Sequence, residues 1–519
     1  MYNLFSVRYC FLSKTTMIWL IVLTILSVLF FYKVVKPLSY WKDRGVTHKK
    51  PWPLLGNFSA IAFQQKPIFY QVLDWYNQFS NERYFGIHQF TLPILYIRDI
   101  DLIKRITVKD FDQFIDHNNI ISEDVEPLMG KNLFNLKGQR WRDMRATLSP
   151  SFTSSKMKMM FTLISECAEQ FTKYFEKQNE GLLEVEVKDV FTRFTNDAIA
   201  TVAFGLKCNS LEDKNNAFYM MGKTVTTFRG LTLLAINLYS MFPKLSKFLQ
   251  LRILSKSVVK FFTGIIKETL NKREKEGLVR PDMIHLLMEA RKEQMSNDTK
   301  KSNYKLVLTD EDITAQALIF IFGGFETSAT LMCFVAYELA LNKDIQMQLQ
   351  NEIDETLNEC NGILTYEALH KMKYLDMVVS ETLRKWPPGF LLDRLCVKDY
   401  VVEPANSSEK QLVIEKGDLI QIPFPNPDTF DPERFNDENK HNIEPFSYLP
   451  FGSGPRNCIA SRFALMENKT LIFHLLSKFD IVRIDKTPYP MKIAANAFNI
   501  VPVGGFWLGF KLRENKQLT

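Results

Sequence analysis

The chain has 519 residues, of which 46% are hydrophobic and 24% are charged, a composition typical of a globular protein rather than a disordered one. Its formal net charge of +7 is small for this length, and the basic residues are spread along the chain, which argues against a nucleic-acid-binding protein. The positive excess fits contact with an acidic protein or an anionic membrane surface.

The first predicted element is a membrane-anchoring helix. Residues 17–32 carry no charge, and Lys33 can extend its ammonium toward the headgroups, so this segment can span a bilayer. A cleaved signal peptide is the rival interpretation, but residues 31–36 contain no small-x-small cleavage site. Basic residues are more frequent after the apolar run than before it, which predicts a cytoplasmic location for the rest of the chain. Met17 begins the apolar run and is an alternative start to Met1.

The chain is predicted to have three parts. Residues 1–36 form an N-terminal extension and the anchor, and residues 37–57 form a basic hinge stiffened by Pro51 and Pro53. Residues 58–519 form the globular body of the protein. The seven cysteines are widely spaced and include no Cys-x-x-Cys pair, which argues against a disulfide framework or a structural zinc site and favours a reducing compartment.

Most of residues 60–480 is predicted to be helical, because long amphipathic runs contain few prolines. Short strands are expected near residues 95–97, 412–414 and 419–422 and in the C-terminal tail, whereas residues 291–305 are expected to form a solvated loop. Residues 231–254 are apolar with interspersed basic residues. Helix packing or a second patch that dips into the bilayer would each explain this segment.

A long central helix is predicted from Thr309 to residue 341. Thr309 and Asp312 have the spacing of a capping box in its aspartate variant. Between residues 315 and 340 the helix is apolar on almost every side, so we expect it to be buried at the centre of the protein.

Polar and flexible residues interrupt this helix at one place. Gly323 and Gly324 each cost about 1 kcal/mol relative to alanine, and they either leave room for a flat group or let the helix bend. Glu326 and Thr327 follow directly. Taken alone, such a pair is more often a satisfied polar pair of the core than a proton relay.

Two further segments carry charged residues at regular spacing. Residues 374–385 predict a helix that ends before Pro387, and its Glu381 and Arg384 lie on one face. Taken alone, they are an ordinary ion pair. Arg434 lies further on, in a segment rich in proline and asparagine.

Residues 450–464 contain the most informative motif. Gly452, Gly454 and Pro455 predict a tight loop from which a helix departs, with Cys458 just before that helix. The helix N-terminus is expected to favour the thiolate of Cys458, which is a strong metal ligand. A buried and inert thiol is the alternative for a cysteine considered alone.

These motifs, in this order, resemble the cytochrome P450 family. The cysteine loop matches the family pattern at Phe451, Gly454, Arg456 and Cys458, and the central helix matches it at Gly323, Gly324, Glu326 and Thr327. The remaining matches are Glu381, Arg384, Arg434, Trp141 and Arg145. Details of the loop and of residues 504–510 are similar to insect microsomal members that oxidise foreign compounds.

The resemblance implies a mainly α fold with small β-sheets (α+β) and the anchor helix, and it implies haem b with Cys458 as the axial ligand of the iron. The implied haem contacts are Phe451, Arg456, Arg394, Arg145, Trp141, Gly323 and Gly324. Thr327 and Glu326 are implied to serve oxygen activation, whereas Glu381, Arg384 and Arg434 would be structural. Residues 116–129, residues 390–392 and Phe498 would line an apolar substrate pocket.

The implied activity is insertion of one oxygen atom of O2 into small apolar compounds, either foreign or endogenous. Because the chain has no flavin or nicotinamide motif, electrons would come from NADPH through NADPH–cytochrome P450 reductase, with cytochrome b5 as an optional second donor. Basic residues near Arg140, Arg142 and Arg462 would attract the acidic face of the reductase. The implied location is the endoplasmic reticulum membrane, with the catalytic domain on its cytoplasmic side and no nucleic-acid partner.

Two positions depart from the family pattern. Ala460 replaces the usual glycine, and its methyl group is expected to crowd the loop. Pro423 and Phe424 are adjacent, whereas family members carry a strand end and a short helix between them. This junction predicts a less stable chain that loads haem poorly, since each buried unpaired group costs about 1–3 kcal/mol.

Two alternatives therefore stay open at this point. One is a haem enzyme that rearranges a peroxide without a reductase, although such enzymes tend to lack the acid–alcohol pair Glu326–Thr327. The other is a haem-deficient or inactive variant caused by the missing segment between Pro423 and Phe424.

Overall fold

The computed structural model describes residues 2–118, 123–178, 181–227, 242–280, 282–296, 308–407, 409–424, 429–495 and 500–514, and six positions between these ranges. Its α-helices are α1 (Tyr2–Phe30), α2 (Tyr40–Asp43), α3 (Ser59–Ala62), α4 (Ile68–Gln78), α5 (Ile100–Lys104), α6 (Pro127–Gly130), α7 (Gly138–Leu148), α8 (Ser154–Glu176), α9 (Val187–Ile199), α10 (Ala217–Thr226), α11 (Pro243–Phe248), α12 (Lys256–Glu276), α13 (Met283–Ser296), α14 (Asp310–Leu341), α15 (Lys343–Glu359), α16 (Tyr366–Lys371), α17 (Lys373–Lys385) and α18 (Ser461–Lys478). Short 3-10 or π turns extend several of them or bridge the loops.

The strands are β1 (Tyr84–Gln89), β2 (Leu92–Ile97), β3 (Leu182–Glu186), β4 (Leu391–Leu395), β5 (Tyr400–Val402), β6 (Leu412–Ile414), β7 (Leu419–Pro423), β8 (Phe479–Val482) and β9 (Trp507–Leu512). They form a four-stranded sheet in the order β1-β2-β7-β4, a three-stranded sheet in the order β3-β9-β8, and the pair β5-β6. Within the first sheet β2 and β7 are parallel, and the other pairs are antiparallel. The predicted α+β class with small sheets is confirmed.

Helix α14 is the centre of the fold, as its sequence predicts. Both halves of the capping box form: the Thr309 hydroxyl oxygen accepts the Asp312 N–H, and the Asp312 carboxylate accepts the Thr309 N–H. Helix α9 packs along α14, and α12, α17 and α18 pack around it. Although α14 is apolar enough to cross a membrane, most of it is buried, so it is a core helix.

The apolar N-terminal helix is exposed along residues 15–30. The most apolar 18-residue window within Thr15–Asp43 has a mean hydropathy of 2.4 and none of it is buried, which fits a membrane anchor. The hinge that follows is partly held by the body. Trp41 is 1% exposed, packs against Gly86 and donates its indole N–H to the Ile87 carbonyl at 3.2 Å.

A second exposed apolar patch lies on and around α11, within residues 231–254. For this segment the sequence allowed either helix packing or contact with the membrane. Phe242, Leu245, Phe248 and Leu249 are exposed, Phe248 by 82%. Tyr239 and Leu254 of the same segment are buried, so the segment packs on the body with one face and leaves an apolar surface uncovered by the described part of the chain.

One predicted loop is in part a helix. Residues 291–296 continue α13, while residues 297–307 lie outside the described residues. Arg291 donates to Asp310 at 2.6 Å and to Glu274 at 2.7 Å, so its charge is used between helices rather than only solvated.

The junction at Pro423 and Phe424 does not cost the fold a strand end. All five residues of β7 are in register with β4, from Leu419 opposite Leu395 to Pro423 opposite Leu391. The Phe424 N–H then donates to the Phe390 carbonyl at 3.2 Å. The expected loss of strand pairing is therefore wrong for the described residues; residues 425–428 lie outside them.

Candidate active site

The loop that carries Cys458 is shaped by two glycines. Gly452 and Gly454 have φ values of +74° and +70°, and a Cβ at Gly454 would lie 1.8 Å from the Thr107 carbonyl oxygen. The Phe451 carbonyl accepts the Cys458 N–H at 2.8 Å. The loop thus folds back on itself and presents Cys458 three residues before α18 begins.

Cys458 is exposed, yet desolvation by the surrounding protein raises the pKa of its thiol. The thiol is therefore accessible, although protein surrounds it closely. Burial raises the pKa of this thiol, while the Ala460 backbone N–H and the Arg145 charge act in the opposite direction, toward the thiolate. A bound metal ion would displace the proton, as it does from coordinating thiols generally.

The two adjacent glycines of α14 have different roles. A Cβ at Gly323 would meet no atom within 4 Å, whereas a Cβ at Gly324 would lie 2.8 Å from the Ile199 side chain. Gly323 and Thr327 are exposed, although Ile321 and Phe325 beside them are 0% and 1% exposed. Gly323 therefore leaves an interior space open, and Gly324 instead allows α9 to approach.

The polar pair on α14 has protein partners. The Thr327 hydroxyl donates to the Gly323 carbonyl one turn earlier. The Glu326 carboxylate forms an ion pair with Lys188 of α9 at 2.9 Å. Sequence reasoning missed Lys188, because it lies 138 residues from Glu326 and no local pattern marks it.

Arg456 and Arg145, two of the implied haem contacts, are hydrogen-bonded to backbone and side-chain oxygens of this chain. Arg456 stacks on the Trp141 ring at 4.2 Å and donates to the backbone carbonyls of residues 115, 133, 134 and 136 at 2.6–3.3 Å. Arg145 donates to the Asn457 carbonyl and to its side-chain oxygen at 2.8 and 2.7 Å. These contacts fasten α7 and the segment before it to the cysteine loop.

Arg394 is a buried cation whose guanidinium has unused hydrogen-bond donors. It is 1% exposed and donates from Nη1 to the Asp393 carbonyl, while its Nε and Nη2 have no acceptor among the described residues. Burial opposes the charge of Asp393, but His117 at 2.9 Å and the Asn118 N–H lower its pKa to about 2. This carboxylate is therefore engaged elsewhere, which leaves Arg394 able to bind a carboxylate of a cofactor.

Glu381 is the hub of a buried charged cluster. It is 0% exposed, and Arg384 donates to both of its oxygens at 2.5 Å. The Asp431 N–H donates to the same carboxylate at 2.8 Å, and Arg434 lies 3.7 Å from it. Arg384 also donates to the Thr429 carbonyl at 2.9 Å, so the cluster ties α17 to the meander after residue 428.

Comparison with known proteins agrees with this geometry. The family model described as Cytochrome P450 matches residues 47–506. The chain belongs to the cytochrome P450 family. It is 46% identical to Cytochrome P450 9e2 of Blattella germanica over 92% of this chain and 95% of the relative. It is 41% identical to Probable cytochrome P450 9f2 of Drosophila melanogaster, over 91% and 94% of the two chains. It is 37% identical to Cytochrome P450 6j1 of Blattella germanica, over 92% and 94%.

As a cytochrome P450, the protein is a haem-dependent monooxygenase that receives electrons from NADPH through a reductase. The residues present fit haem: the thiol of Cys458 is accessible, a Cβ at Gly323 would meet no atom within 4 Å, and Arg394 has unused buried donors. When bound, the haem supplies the activation of dioxygen. The resemblance inferred from the motifs, including the likeness to insect members, is confirmed.

The other predicted residues are placed as follows in this cytochrome P450. Phe451 and Ala460 pack on the edge of the large core cluster, and the φ of −100° at Ala460 is one that alanine adopts without backbone strain. Leu128 and Met129, from the predicted pocket stretch, belong to the same apolar cluster as Ile321 and Phe325 of α14. Phe498 lies outside the described residues.

Proposed function

We propose that this cytochrome P450 oxygenates small lipophilic compounds, foreign or endogenous, with Glu326 and Thr327 serving oxygen activation. The observation that carries the proposal is the exposure of Gly323 and Thr327 in the middle of a buried helix. Around them α14 presents Phe320 and Phe322, which are partly buried in an apolar cluster. An interior space with apolar walls and one polar pair fits an apolar substrate held beside a reaction that needs protons.

The proposal includes a location at the endoplasmic reticulum membrane, with the catalytic domain on the cytoplasmic side. The uncovered helix α1 and the exposed apolar patch around α11 support membrane attachment. The cysteines support the cytoplasmic side, since the six from Cys167 to Cys458 are all free thiols.

The proposed electron donor is NADPH–cytochrome P450 reductase, with cytochrome b5 as an optional second donor. Arg140 and Arg142 of α7 are partly exposed, with side-chain exposures of 44% and 41%, and each is paired with a carboxylate of this chain. Arg462 of α18 donates to Ser154. An acidic partner would compete for these three cations, so association should weaken as salt is added.

The two alternative functions are less well supported. A haem enzyme that rearranges a peroxide without a reductase would be expected to lack the acid–alcohol pair. In this chain Glu326 and Thr327 are both present. The haem-deficient variant is not favoured, because β7 is paired along its whole length and the family model matches residues 47–506.

Thr327→Ala tests the proposed role of the polar pair. Without the hydroxyl, we expect the loaded enzyme, reconstituted with reductase and NADPH, to form at least about tenfold less product per NADPH and correspondingly more hydrogen peroxide. Thr327→Ser keeps the hydroxyl and should retain most of the product yield. Equal product per NADPH in Thr327→Ala and the unchanged protein would refute the role of Thr327.

A second test concerns the junction of Pro423 and Phe424. The chain as it stands should bind haem as fully as a version with ten glycine- and serine-rich residues inserted there, because β7 needs no further residues to complete its pairing. Haem per protein and the thermal midpoint should be measured for both forms. Clearly higher haem content in the longer form would show that the short connection is a defect.

A further inference from the structure

The side-chain ammonium of Lys188, on α9, has three acceptors in one turn of α14. Its ammonium lies 2.9 Å from Oε1 of Glu326, 2.7 Å from the Thr330 hydroxyl oxygen and 3.2 Å from the Glu326 carbonyl oxygen. A lysine ammonium has three N–H donors, so each has one acceptor here. The two side chains are only 15% and 19% exposed, so little water competes with these bonds.

The same turn of α14 receives other side-chain donors. The Thr195 hydroxyl of α9 donates to the Phe325 carbonyl at 2.9 Å, and the Thr330 hydroxyl donates to the Glu326 carbonyl at 2.7 Å. Hydroxyl groups bonded to helix carbonyls loosen or bend a helix at that turn. Helix α9 thus supplies two donors, from Lys188 and Thr195, to the turn of α14 that holds the polar pair.

The charge of Lys188 is directed to Glu326 rather than to the other nearby carboxylate. Glu186 is close enough to affect the Cys333 thiol together with Lys188 and Glu326. The Glu186 oxygens, however, accept the Asp189 N–H at 2.8 Å and the Phe506 N–H at 2.9 Å. Glu186 is therefore used to cap α9 and to hold the segment before β9.

We propose that Lys188 is a positioning residue, which holds the Glu326 carboxylate in the direction from which it serves proton transfer. This inference rests on the proposed function of Glu326. Lys188 acts through Glu326, and its three recorded bonds all go to Glu326 and Thr330. Its loss would free the carboxylate to take other side-chain conformations, and misplacement of a catalytic group by about 1 Å can cost a hundredfold in rate.

A second ion pair on the same helix provides a matched control. Lys385 of α17 lies 3.0 Å from Glu338 of α14, and its side chain is also 15% exposed. This pair lies about three turns from Glu326 along α14. Lys385→Met therefore removes a mostly buried ammonium that contacts α14, and it leaves the residues around Glu326 and Thr327 unchanged.

The experiment compares Lys188→Met, Lys188→Arg, Glu326→Gln, the double variant Lys188→Met/Glu326→Gln and the control Lys385→Met. In Lys188→Met we expect product per NADPH to fall about tenfold, with an unchanged KM and an unchanged carbon monoxide spectrum. Lys188→Arg keeps the charge and should restore at least half of the yield. In the Glu326→Gln background, Lys188→Met should cause no further loss, and Lys385→Met should retain the full yield.

Thermal unfolding of the same variants gives a readout that does not depend on turnover. Because Lys188 and Glu326 are in direct contact, the changes in midpoint of their single variants should not add in the double variant. Additive midpoints, or an unchanged yield in Lys188→Met, would overturn the inference. If Glu326→Gln and Thr327→Ala also kept their product per NADPH, the proposed function would fail with it; if only Lys188→Met kept its yield, the positioning role alone would be wrong.

Discussion

Changing Cys458→Ala should abolish the thiolate-type absorption of the reduced protein with carbon monoxide and lower turnover by more than about a hundredfold. Even groups that merely support a metal ligand cost about 10- to 100-fold when they are removed. The backbone of the loop does not depend on the thiol, since the Cys458 N–H bond to Phe451 and the glycine conformations remain available to alanine. The variant should therefore fold but bind iron without a sulfur ligand.

The measurement is the reduced carbon monoxide difference spectrum, with haem content determined in parallel. Cys360→Ala is a suitable control, because Cys360 lies at the C-terminal end of α15, far along the chain from the cysteine loop. It should give the unchanged spectrum. A thiolate-type spectrum in Cys458→Ala would show that another thiol binds the iron, and the assignment of Cys458 would have to be abandoned.

Changing Glu381→Gln should destabilise the protein so far that little haem-loaded material accumulates. The glutamine leaves Arg384 and the nearby Arg434 without their shared carboxylate, and removing one partner of a buried ion pair costs about 3–5 kcal/mol. Folded domains have only about 5–15 kcal/mol of net stability. The Asp431 N–H and the Thr429 carbonyl are held by the same cluster, so the meander before the cysteine loop should loosen as well.

Holoprotein yield and thermal midpoint should be compared with those of Glu367→Gln. Glu367 forms an ion pair with Lys158 on the surface, where both side chains are more than half exposed. Surface pairs of this kind contribute little, so Glu367→Gln should behave like the unchanged protein. A Glu381→Gln variant with normal yield and midpoint would mean that the cluster is dispensable for the fold.

The helical elements and the family were accessible from the sequence because their signals are local. The capping box at Thr309 and Asp312 spans four residues, and the helix it predicts runs to Leu341 in the structure. The helix predicted over residues 374–385 is observed as Lys373–Lys385. Strands β2, β6, β7 and β9 were expected, whereas β1, β3, β4, β5 and β8 were missed, because each is short and is defined by its pairing with another strand.

Some residues of the candidate site could likewise be predicted from local sequence, and others depend on contacts between distant segments. The cysteine loop, the glycine pair and the polar pair were predictable from the amino-acid sequence, because each consists of neighbouring residues whose types restrict the backbone or the chemistry. Three contacts of the site were not predictable from local patterns: the ion pair of Lys188 with Glu326, the unused donors of Arg394 and the approach of Gly454 to Thr107. These contacts join residues far apart in the chain, and they exist only because packing of the apolar faces brings α9, β4 and the cysteine loop against their neighbours.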